Sequence, residues 1–310
     1  MQLIDNIQSP TNDGTVATLG FFDGVHRGHR FLIDQVKANA KQLGLQSMVI
    51  TFDQHPRKVL CQDFQPKLLN TFDEKIELLQ ETDVDFCCVL PFTKELSKLS
   101  SSEFLQLLHD KLNVKNLIIG YDHKFGHNRE EDFEQYKKYG ETLEIDIEQS
   151  VPLIENNVAI SSSVIRRMLE QGKIEEANYF LGYNYFLSGK VIHGKKIGRS
   201  ISFPTANLAV DEQKQLPLSG IYAVCILLKE RLYNGMLNIG NRPTVDSGTQ
   251  KTTVEVNIFD FDQDIYDETI KILFVKRIRN EQKFSTVQLL AEQLKKDEEI
   301  VRTIFLTQKQ

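Results

Sequence analysis

The segment Thr15–His29, TVATLGFFDGVHRGH, is the starting point for interpreting the first half of the chain. Its first five residues favour a β-strand, three glycines then punctuate a turn, and helical spacing begins near His29. A helix that follows a strand directly offers unpaired N–H groups and a positive dipole end, which suit phosphate. Gly28 lets backbone approach a ligand closely, and both histidines can donate to phosphate oxygens. H-x-G-H alone could equally be a tight turn with two surface histidines, but the strand–turn–helix context favours a nucleotide site.

Outward from this segment, strand-like and helical segments alternate through the first half. The β-rich runs are Thr15–Leu19, Met48–Phe52, Phe86–Leu90 and Leu117–Ile119. One helical pattern has an apolar face formed by Leu32, Ile33, Val36, Ala40 and Leu43. A second contains Ile76, Leu78 and Leu79 and begins with a capping box at Thr71 and Glu74. Three more helices are predicted over Ser102–Leu112, Ser163–Gln171 and Ile174–Leu181. Strands that alternate with helices predict an α/β fold, a parallel sheet with helices on both faces.

The pattern changes near Gly182–Ser188. Beyond it the predicted strands are Val191–Ile192, Ile221–Leu228, Leu232–Ile239, Thr253–Phe259 and Thr269–Val275. Several strands at short spacing predict an antiparallel barrel or sandwich. A last amphipathic helix is predicted from about Ser285, with an apolar side formed by Val287, Leu290, Leu294 and Ile300. Because 310 residues exceed a typical single core, we expect two domains, 1–183 and 184–310.

Composition and charge narrow the class of protein. The chain is 41% hydrophobic and 26% charged, which is typical of a globular protein. The net charge is −6, with 19 basic and 28 acidic residues up to residue 182, and the acidic total argues against a general nucleic-acid binder. Four cysteines without C-x-x-C spacing favour a reducing compartment over a disulfide scaffold or zinc finger. No leader pattern and no apolar run of about 20 residues are evident, so we expect a cytoplasmic protein without a membrane partner.

Further polar segments follow the predicted strands of the first half. The segment Ile160–Arg166, ISSSVIR, would begin a helix whose serines either cap its N–H groups or bind phosphate oxygens, with Arg166 adding positive charge. Thr51–Pro56 follows the second strand, and Gly120–Gly126 follows the fourth. Ligands of parallel α/β sheets bind beyond the carboxyl ends of the strands. We therefore expect these loops to form one site.

The second half opens with a basic, glycine-spaced segment, Gly189–Arg199. It lacks a Walker A motif, and it would form either a phosphate-covering flap or an exposed basic hairpin. In the following F-P-T-A-N, Thr205 and Asn207 point to the same side of an extended chain. Their oxygens could hold Mg²⁺ and a phosphate, because Mg²⁺ takes few protein ligands and keeps waters and substrate oxygens. The other interpretation is a turn before an ordinary strand.

Glu255 lies in the predicted strand T-V-E-V-N-I. By strand alternation it shares a polar face with Thr253 and Asn257. At the mouth of a barrel, such a carboxylate could orient a substrate hydroxyl and accept its proton. A solvated surface glutamate is the other interpretation of the same pattern.

Two motif sets resemble one known family. The strings G-F-F-D-G-V-H-R-G-H and I-S-S-S-V-I-R resemble the Rossmann-like nucleotidyltransferase domain of the bacterial bifunctional riboflavin kinase/FMN adenylyltransferases, the prokaryotic FAD synthetases. The resemblance implies that His26 and His29 contact ATP phosphates and act in catalysis. It also implies a flavin contact from Asp122. Further ATP or phosphate contacts are implied for Gly20, Phe22, Asp23, Gly28, Ser161, Ser162, Ser163 and Arg166.

The string G-R-S-I-S-F-P-T-A-N resembles the riboflavin kinase signature of the same family, carried on an antiparallel β-barrel with a terminal helix. The resemblance implies that Thr205 and Asn207 bind Mg²⁺, that Asn207 also contacts ATP phosphate, and that Glu255 is the catalytic base. It places Arg279 near the flavin pocket. Phosphate contacts are implied for Gly194, Lys195 and Gly198. Departures from the family pattern are Ser163 for Thr, His123 and Lys124 for Phe-Arg, Glu131 and Ser202 for Gly, and Asn257 for His.

The resemblance implies two sequential reactions. The C-terminal domain would phosphorylate riboflavin to FMN with ATP and Mg²⁺, and the N-terminal domain would adenylylate FMN to FAD with a second ATP, releasing pyrophosphate. The expected partners are these small molecules, in a monomer or weak homo-oligomer. Two rivals remain at this level: a tRNA-charging enzyme, although K-M-S-K-S is absent, and a non-catalytic flavin-responsive regulator.

Overall fold

The computed structural model describes residues 1–4, 7, 11–60, 67–121, 123–127, 131–155, 157–194, 203–243 and 250–307. The chain forms two compact units, Met1–Ser162 and Ser163–Gln310, which are described separately. Within the described residues, no helix combines the length and apolar character needed to cross a membrane.

The first unit is built on a six-stranded parallel sheet, which confirms the predicted α/β fold. Its strands are β1 (Gln2–Ile4), β2 (Thr15–Leu19), β3 (Gln46–Phe52), β4 (Phe86–Leu90), β5 (Val114–Ile119) and β6 (Asp146–Gln149). The spatial order is β1-β4-β3-β2-β5-β6. The chain therefore runs outward from β2 in one direction and from β5 in the other. The crevice at the carboxyl ends of β2 and β5 is the place where such sheets bind ligands.

Helices and turns connect these strands. They are α1 (Arg27–Leu43), α2 (Pro56–Leu60), α3 (Phe72–Gln80), a 3₁₀ turn (Leu96–Lys98), α4 (Ser101–Leu112) and α5 (Phe133–Leu143). A short hairpin, β7 (Ile154–Glu155) and β8 (Val158–Ala159), follows the sheet. The predicted capping box of α3 is present, since the Glu74 N–H donates to Thr71 Oγ1 at 3.3 Å and the Thr71 N–H donates to Glu74 Oε2 at 2.9 Å.

The apolar pattern explains how this unit buries its core. All of β2 is buried, as expected for a central strand covered on both faces. Helix α1 buries the predicted face except at its end, where Leu43 remains 53% exposed. Leu43 lies in the last turn, just before the chain leaves the helix through Gly44 at a φ of 68°. Leu43, which the helical spacing places on the same face, therefore does not join the buried core.

The second unit begins with two helices and continues as a closed antiparallel barrel. The helices are α6 (Ser162–Glu170) and α7 (Ile174–Leu181). The strands are β9 (Phe186–Ile192), β10 (Ala206–Val210), β11 (Gly220–Leu228), β12 (Arg231–Pro243), β13 (Gln250–Ile258) and β14 (Thr269–Arg279), followed by α8 (Val287–Thr307). Their order around the barrel is β10-β13-β12-β11-β14-β9. The structure thus selects the barrel over the sandwich, and it adds β10 to the strands predicted from sequence.

Helix α8 packs on the barrel through a narrower apolar stripe than predicted. Val301 and Phe305 join Met236 in one core cluster. Val287 and Ile300, which we expected on the apolar side, are 56% and 48% exposed. Val287 opens the helix, and Ile300 faces away because the buried stripe passes through the charged position 297.

The two helices before the barrel belong to the second compact unit. Asn178 of α7 donates through Nδ2 to the Phe274 carbonyl of β14 at 2.8 Å, and its Oδ1 accepts from the Tyr185 N–H at 2.8 Å. These bonds tie α7 to a barrel strand. The compact units divide at Ser162/Ser163. The boundary between the two functions at 183/184 stays a prediction.

Candidate functional sites

The turn after β2 has an unusual backbone. Phe22 and Val25 have φ angles of 56° and 33°, and Gly24 between them has 87°. Positive φ is uncommon outside glycine, and such strain concentrates at functional sites. Phe22 is nevertheless buried, and a Cβ on Gly20 would lie 3.1 Å from its ring. The turn therefore has a fixed conformation that delivers the chain into α1.

The two histidines of the motif form a stacked pair at the start of α1. His26 is the N-cap, and its Nδ1 accepts the backbone N–H of His29 at 3.3 Å. Because Nδ1 accepts, a neutral His26 ring carries its proton on Nε2. The two rings stack with centroids 3.6 Å apart. A Cβ on Gly28 would lie 3.2 Å from the His26 ring and 3.3 Å from the Ile160 carbonyl oxygen, so glycine permits this close packing.

The electrostatic surroundings of His29 favour its neutral form. Burial lowers the pKa of His29 well below its ordinary value, and His26, His123 and Lys75 lower it further. The Phe22 ring packs edge-on against His29 with centroids 5.1 Å apart. Among the described residues, the buried Nδ1 of His29 has no hydrogen-bond partner. A buried polar atom without a partner in the protein is available to a ligand.

Asp23 and Ser162 hold this turn to neighbouring segments of the first unit. Asp23 Oδ1 accepts the N–H groups of Leu69 and Asn70, at 2.8 and 3.3 Å. Ser162 Oγ donates to the Asp23 carbonyl at 2.8 Å, so the serine segment meets the turn. The geometry gives Asp23 a structural function. Its contact with ATP stays a prediction.

A buried lysine, which the sequence analysis missed, lies behind the same turn. Lys75 of α3 donates through Nζ to Thr51 Oγ1 at 3.1 Å and to the Phe52 carbonyl at 2.8 Å, at the carboxyl end of β3. Its ammonium lies 4.3 Å from the centroid of the Phe21 ring. Burial lowers the pKa of Lys75 to about 8. The only sequence signal was a lysine adjoining Leu78 and Leu79 on the apolar face of a capped helix.

The other residues predicted for the adenylyl-transfer site are divided between the two units, and one of them lies outside the described residues. Ser161 and Ser162 are the last residues of the first unit, whereas Ser163 and Arg166 belong to the second. Within the second unit, Arg166 Nη2 donates to Ser163 Oγ at 3.4 Å. Asp122 lies outside the described residues. Among the departures, Glu131 accepts from the Tyr139 hydroxyl at 2.9 Å, and this bond raises the pKa of Tyr139.

In the barrel, the register brings the predicted phosphate and base residues together. Asn207 on β10 is directly opposite Glu255 on β13, and Asn238 on β12 is opposite Glu255 from the other side. A Cβ on Gly194 would collide with the Asn207 side chain, so Gly194 also lies at this point. Glu255 occupies the face opposite the buried Val254, as alternation predicted. Lys195 and Gly198 lie outside the described residues.

A cavity of about 240 Å³ gathers the chemically important side chains of the barrel. Thr205, Glu255 and Arg279 line it together. Leu290 and Leu294 of α8 supply an apolar wall, so the cavity lies between the barrel and the terminal helix. The structure thus unites a hydroxyl, a carboxylate and a guanidinium that are separated by up to 74 positions in the sequence.

A second cavity of about 470 Å³ shares one residue with the first. Thr205 lines both. The larger cavity is bounded by Val256 and Ile258 of β13 and by the loop that follows, including Tyr266. Asn257, a departure from the family pattern, donates through Nδ2 to the Pro204 carbonyl at 2.7 Å. This bond fixes the backbone immediately before Thr205.

Arg279 is held in place by a buried carboxylate on α8. Its Nε lies 2.9 Å from Asp297 Oδ1, and its Nη2 lies 2.6 Å from Oδ2. Its Nη1 donates to the Asn280 carbonyl at 2.9 Å. Asp297 is fully buried and also accepts from Gln293 Nε2 at 2.9 Å. The guanidinium plane is therefore fixed by a two-bond fork.

The first unit has a helix capped by histidine at the switch point of a parallel sheet, and the second has a barrel whose cavity combines Thr205, Glu255 and Arg279 with an apolar wall. These features fit a two-domain nucleotide-dependent transferase. Residues 8–164 match the family model for FAD synthetase, and residues 181–305 match the model for riboflavin kinase. The chain belongs to the bifunctional riboflavin kinase/FMN adenylyltransferase family.

Full-length relatives support this membership. The bifunctional riboflavin kinase/FMN adenylyltransferase of Bacillus subtilis is 37% identical over 297 residues, covering 92% of this chain and 90% of the relative. The enzyme of the same name from Escherichia coli is 36% identical, covering 97% and 96%, and that from Listeria monocytogenes is 39% identical, covering 95% and 94%. A crystal structure from Streptococcus pneumoniae, described as a macrolide-efflux protein, has a TM-score of 0.88 and 31% identity over 97% of this chain and 98% of that one.

Proposed function

We propose that this chain makes FMN and then FAD. Riboflavin is phosphorylated with ATP, and the resulting FMN is adenylylated with a second ATP, releasing pyrophosphate. The observation that carries the proposal is the coverage of one chain by both family models, each over a unit with its own candidate site. Catalysis in both units comes from positioning and from offsetting negative charge.

In the barrel, we assign the 240 Å³ cavity to riboflavin and the 470 Å³ cavity to ATP. The Glu255 carboxylate accepts the proton of the riboflavin 5′-hydroxyl, whose oxygen bonds to the γ-phosphorus while the bond to the ADP oxygen breaks. Thr205 lines both cavities, so its hydroxyl lies where the two substrates meet. This arrangement supports transfer of the phosphoryl group between the two cavities.

The oxygen donors at this junction fit a magnesium ion. They are the Thr205 hydroxyl, which belongs to a residue lining both cavities, and the Asn207 amide oxygen, which belongs to the residue paired with Glu255 in the strand register. Mg²⁺ accepts such hard oxygen ligands and keeps substrate phosphates and waters in its shell. When bound, it would offset the charge that develops on the transferred phosphoryl group. We therefore include Mg²⁺ as a cofactor held by Thr205 and Asn207.

In the first unit, an oxygen of the FMN phosphate attacks the α-phosphorus of ATP, and the bond to the pyrophosphate oxygen breaks. His26 presents an Nε2–H, and His29 is neutral with Nδ1 open to a ligand. Both rings sit at the N-terminus of α1, whose dipole favours phosphate. They act as hydrogen-bond donors to the departing phosphates, so no covalent enzyme intermediate is required.

The proposed binding partners and cellular location follow from the substrates. Riboflavin, FMN and ATP are the partners, and we propose a cytoplasmic monomer or weak homo-oligomer without a nucleic-acid partner. Ser161, Ser163, Arg166, Gly194, Lys195 and Gly198 complete the proposed phosphate contacts, and Asp122 and Arg279 the flavin contacts.

A time course with riboflavin and Mg-ATP tests the function. Flavins are separated at intervals, and we expect FMN to appear first and FAD to follow, with pyrophosphate released in proportion to FAD. Omitting ATP is the control and leaves riboflavin unchanged. Riboflavin that stays unmodified with ATP present would contradict the kinase assignment, and FMN that accumulates without FAD would contradict the adenylyltransferase assignment. Retention of labelled tRNA on filters would instead favour the tRNA-charging rival.

A further inference from the structure

Asp297 stands out because it places a carboxylate in the buried stripe of α8. It is fully buried, whereas helix positions that face a barrel are ordinarily apolar. A buried carboxylate is costly unless it is paired and hydrogen-bonded. Arg279 and Gln293 supply four contacts to its two oxygens, so the charge is fully paired. A leucine at position 297 would pack in the buried stripe without needing a charged partner. The carboxylate therefore points to a function beyond packing.

Among the residues that the structure describes, the contacts of Arg279 leave one edge of its guanidinium available. A guanidinium has five N–H donors in a rigid fork. Asp297 engages the edge formed by Nε and Nη2, and the Asn280 carbonyl takes one donor of Nη1. The remaining donors lie on the other edge, and Arg279 lines the 240 Å³ cavity. Among the described residues that line this cavity, Arg279 is the only one with a positive charge.

The same helix also forms the apolar wall of that cavity. Leu290 and Leu294 line it, and Asp297 is one turn beyond Leu294. The ion pair therefore links the wall to the strand that carries the guanidinium. A flat, amphipathic ring system with hydrogen-bond acceptors on one edge would meet the leucines on its face and Arg279 at its edge.

We propose that Asp297 is a positioning residue for the flavin: it orients Arg279 toward the ring acceptors of riboflavin and fixes the wall that the ring packs against. This inference rests on the proposed function of the barrel. It assigns the residue an effect on riboflavin binding that is separate from the ATP cavity, because Arg279, through which Asp297 acts, lines the 240 Å³ cavity and not the 470 Å³ one.

The test compares Asp297→Asn with the wild type for riboflavin phosphorylation. Asparagine keeps the shape but removes the charge, and it leaves Arg279 free to turn. We expect the riboflavin KM to rise roughly tenfold or more, with the ATP KM unchanged within twofold. Glu298→Gln is the matched control, because Glu298 lies on the same helix but does not line the cavity. It removes the surface ion pair in which Glu298 Oε1 lies 2.8 Å from Arg302 Nε. We expect this control to leave both KM values unchanged.

A double-mutant cycle separates positioning from simple loss of structure. In an Arg279→Gln background, adding Asp297→Asn should change the riboflavin KM by less than about twofold, since the partner through which it acts is gone. If either variant fails to fold, the paired replacement Arg279→Met with Asp297→Leu provides an apolar substitute for the buried pair. That variant should keep the ATP KM and show the raised riboflavin KM.

The outcomes distinguish this inference from the proposed function. A wild-type chain that does not phosphorylate riboflavin overturns the function. An active wild type with an Asp297→Asn riboflavin KM within twofold overturns the positioning role. Equal increases in both KM values, or fully additive effects in the cycle, also overturn it, because they indicate a general structural effect.

Discussion

At the scale of single residues, the pair His26 and His29 illustrates how a backbone contact prepares a side chain for chemistry. His26 Nδ1 is occupied by the N–H that it caps, so its other nitrogen becomes the donor. His29 is kept neutral because burial, and then the neighbouring His26, His123 and Lys75, lower its pKa. A neutral donor offers phosphate a hydrogen bond that is independent of pH near neutrality.

Replacing His29 by alanine should impair only one of the two reactions. We expect FAD formation from FMN to slow by roughly 10²–10³-fold, the usual cost of removing a donor that meets developing charge. FMN formation from riboflavin should be unchanged. The measurement is the initial rate of each step with its own substrate. His109→Ala, at a surface contact between His109 Nδ1 and Asp110 Oδ1, is the matched control. Equal loss of both activities in a folded His29→Ala protein would falsify the two-site assignment.

Lys75 should show the consequence of burying an ammonium. Its pKa is lowered from 10.5 to about 8, so between these values the unfolded chain holds a proton that the folded chain has released. Folded stability therefore rises with pH across this interval, by up to about 3 kcal/mol at this site. We expect this rise to be lost in Lys75→Met and kept in the exposed-site control Lys41→Met, as measured by calorimetric unfolding from pH 7 to 10. Parallel curves for all three proteins would contradict it.

At the scale of secondary-structure elements, the sequence predicted the strands and helices whose bounds depend on local residue spacing. β2 and β4 match their predicted bounds, and α3 begins with its predicted capping box, because local spacing and caps determine them. β10 was given only as the other interpretation of the F-P-T-A-N segment, because it has a single buried residue, Leu208, and so lacks a clear apolar pattern. The apolar side of α8 was partly wrong because a charged residue, Asp297, interrupts the stripe and is paired only through tertiary structure.

In the candidate sites, too, local motifs could be predicted from the sequence, whereas contacts between distant segments could not. The H-x-G-H turn could be located from its strand–turn–helix context, and the face of Glu255 from alternation. The partners of these residues come from distant segments. Neither Lys75 behind the turn nor Asp297 behind Arg279 has a sequence signal that specifies its contact, since each contact depends on how two elements pack.

The start of α1 offers a test at this scale, because the helix has a glycine at each end. A Cβ on Gly28 would press on the His26 ring and on the Ile160 carbonyl, whereas a Cβ on Gly44 would meet nothing within 4 Å. We expect Gly28→Ala to lower the rate of FAD formation at least roughly tenfold, since small displacements of positioned groups are costly. Gly44→Ala should cost about 1 kcal/mol of stability through its positive φ and leave the rate unchanged. Similar rates for both variants would show that the close packing at Gly28 is dispensable.

At the scale of the whole molecule, we propose that each reaction has its own site, so activity should be recoverable from two defective chains. A mixture of His29→Ala and Glu255→Gln proteins should convert riboflavin to FAD, although each variant alone does so poorly. FMN made by the first variant serves as substrate for the second, and a lag before FAD appears should shorten as FMN is added. The measurement is FAD formed over time in the mixture and in each protein alone. A mixture no better than its components would contradict the exchange of FMN between chains.

The parallel sheet and the barrel also differ in the strand edges that they expose to other chains. Among the strands that the structure describes, the closed barrel leaves no edge unpaired for another chain to extend. The parallel sheet keeps two edges, β1 and β6. The first is only three residues long, and the second carries Asp146 and Glu148 among its exposed positions. The parallel sheet is therefore protected from edge-to-edge aggregation by the shortness of β1 at one edge and by the acidic side chains of β6 at the other.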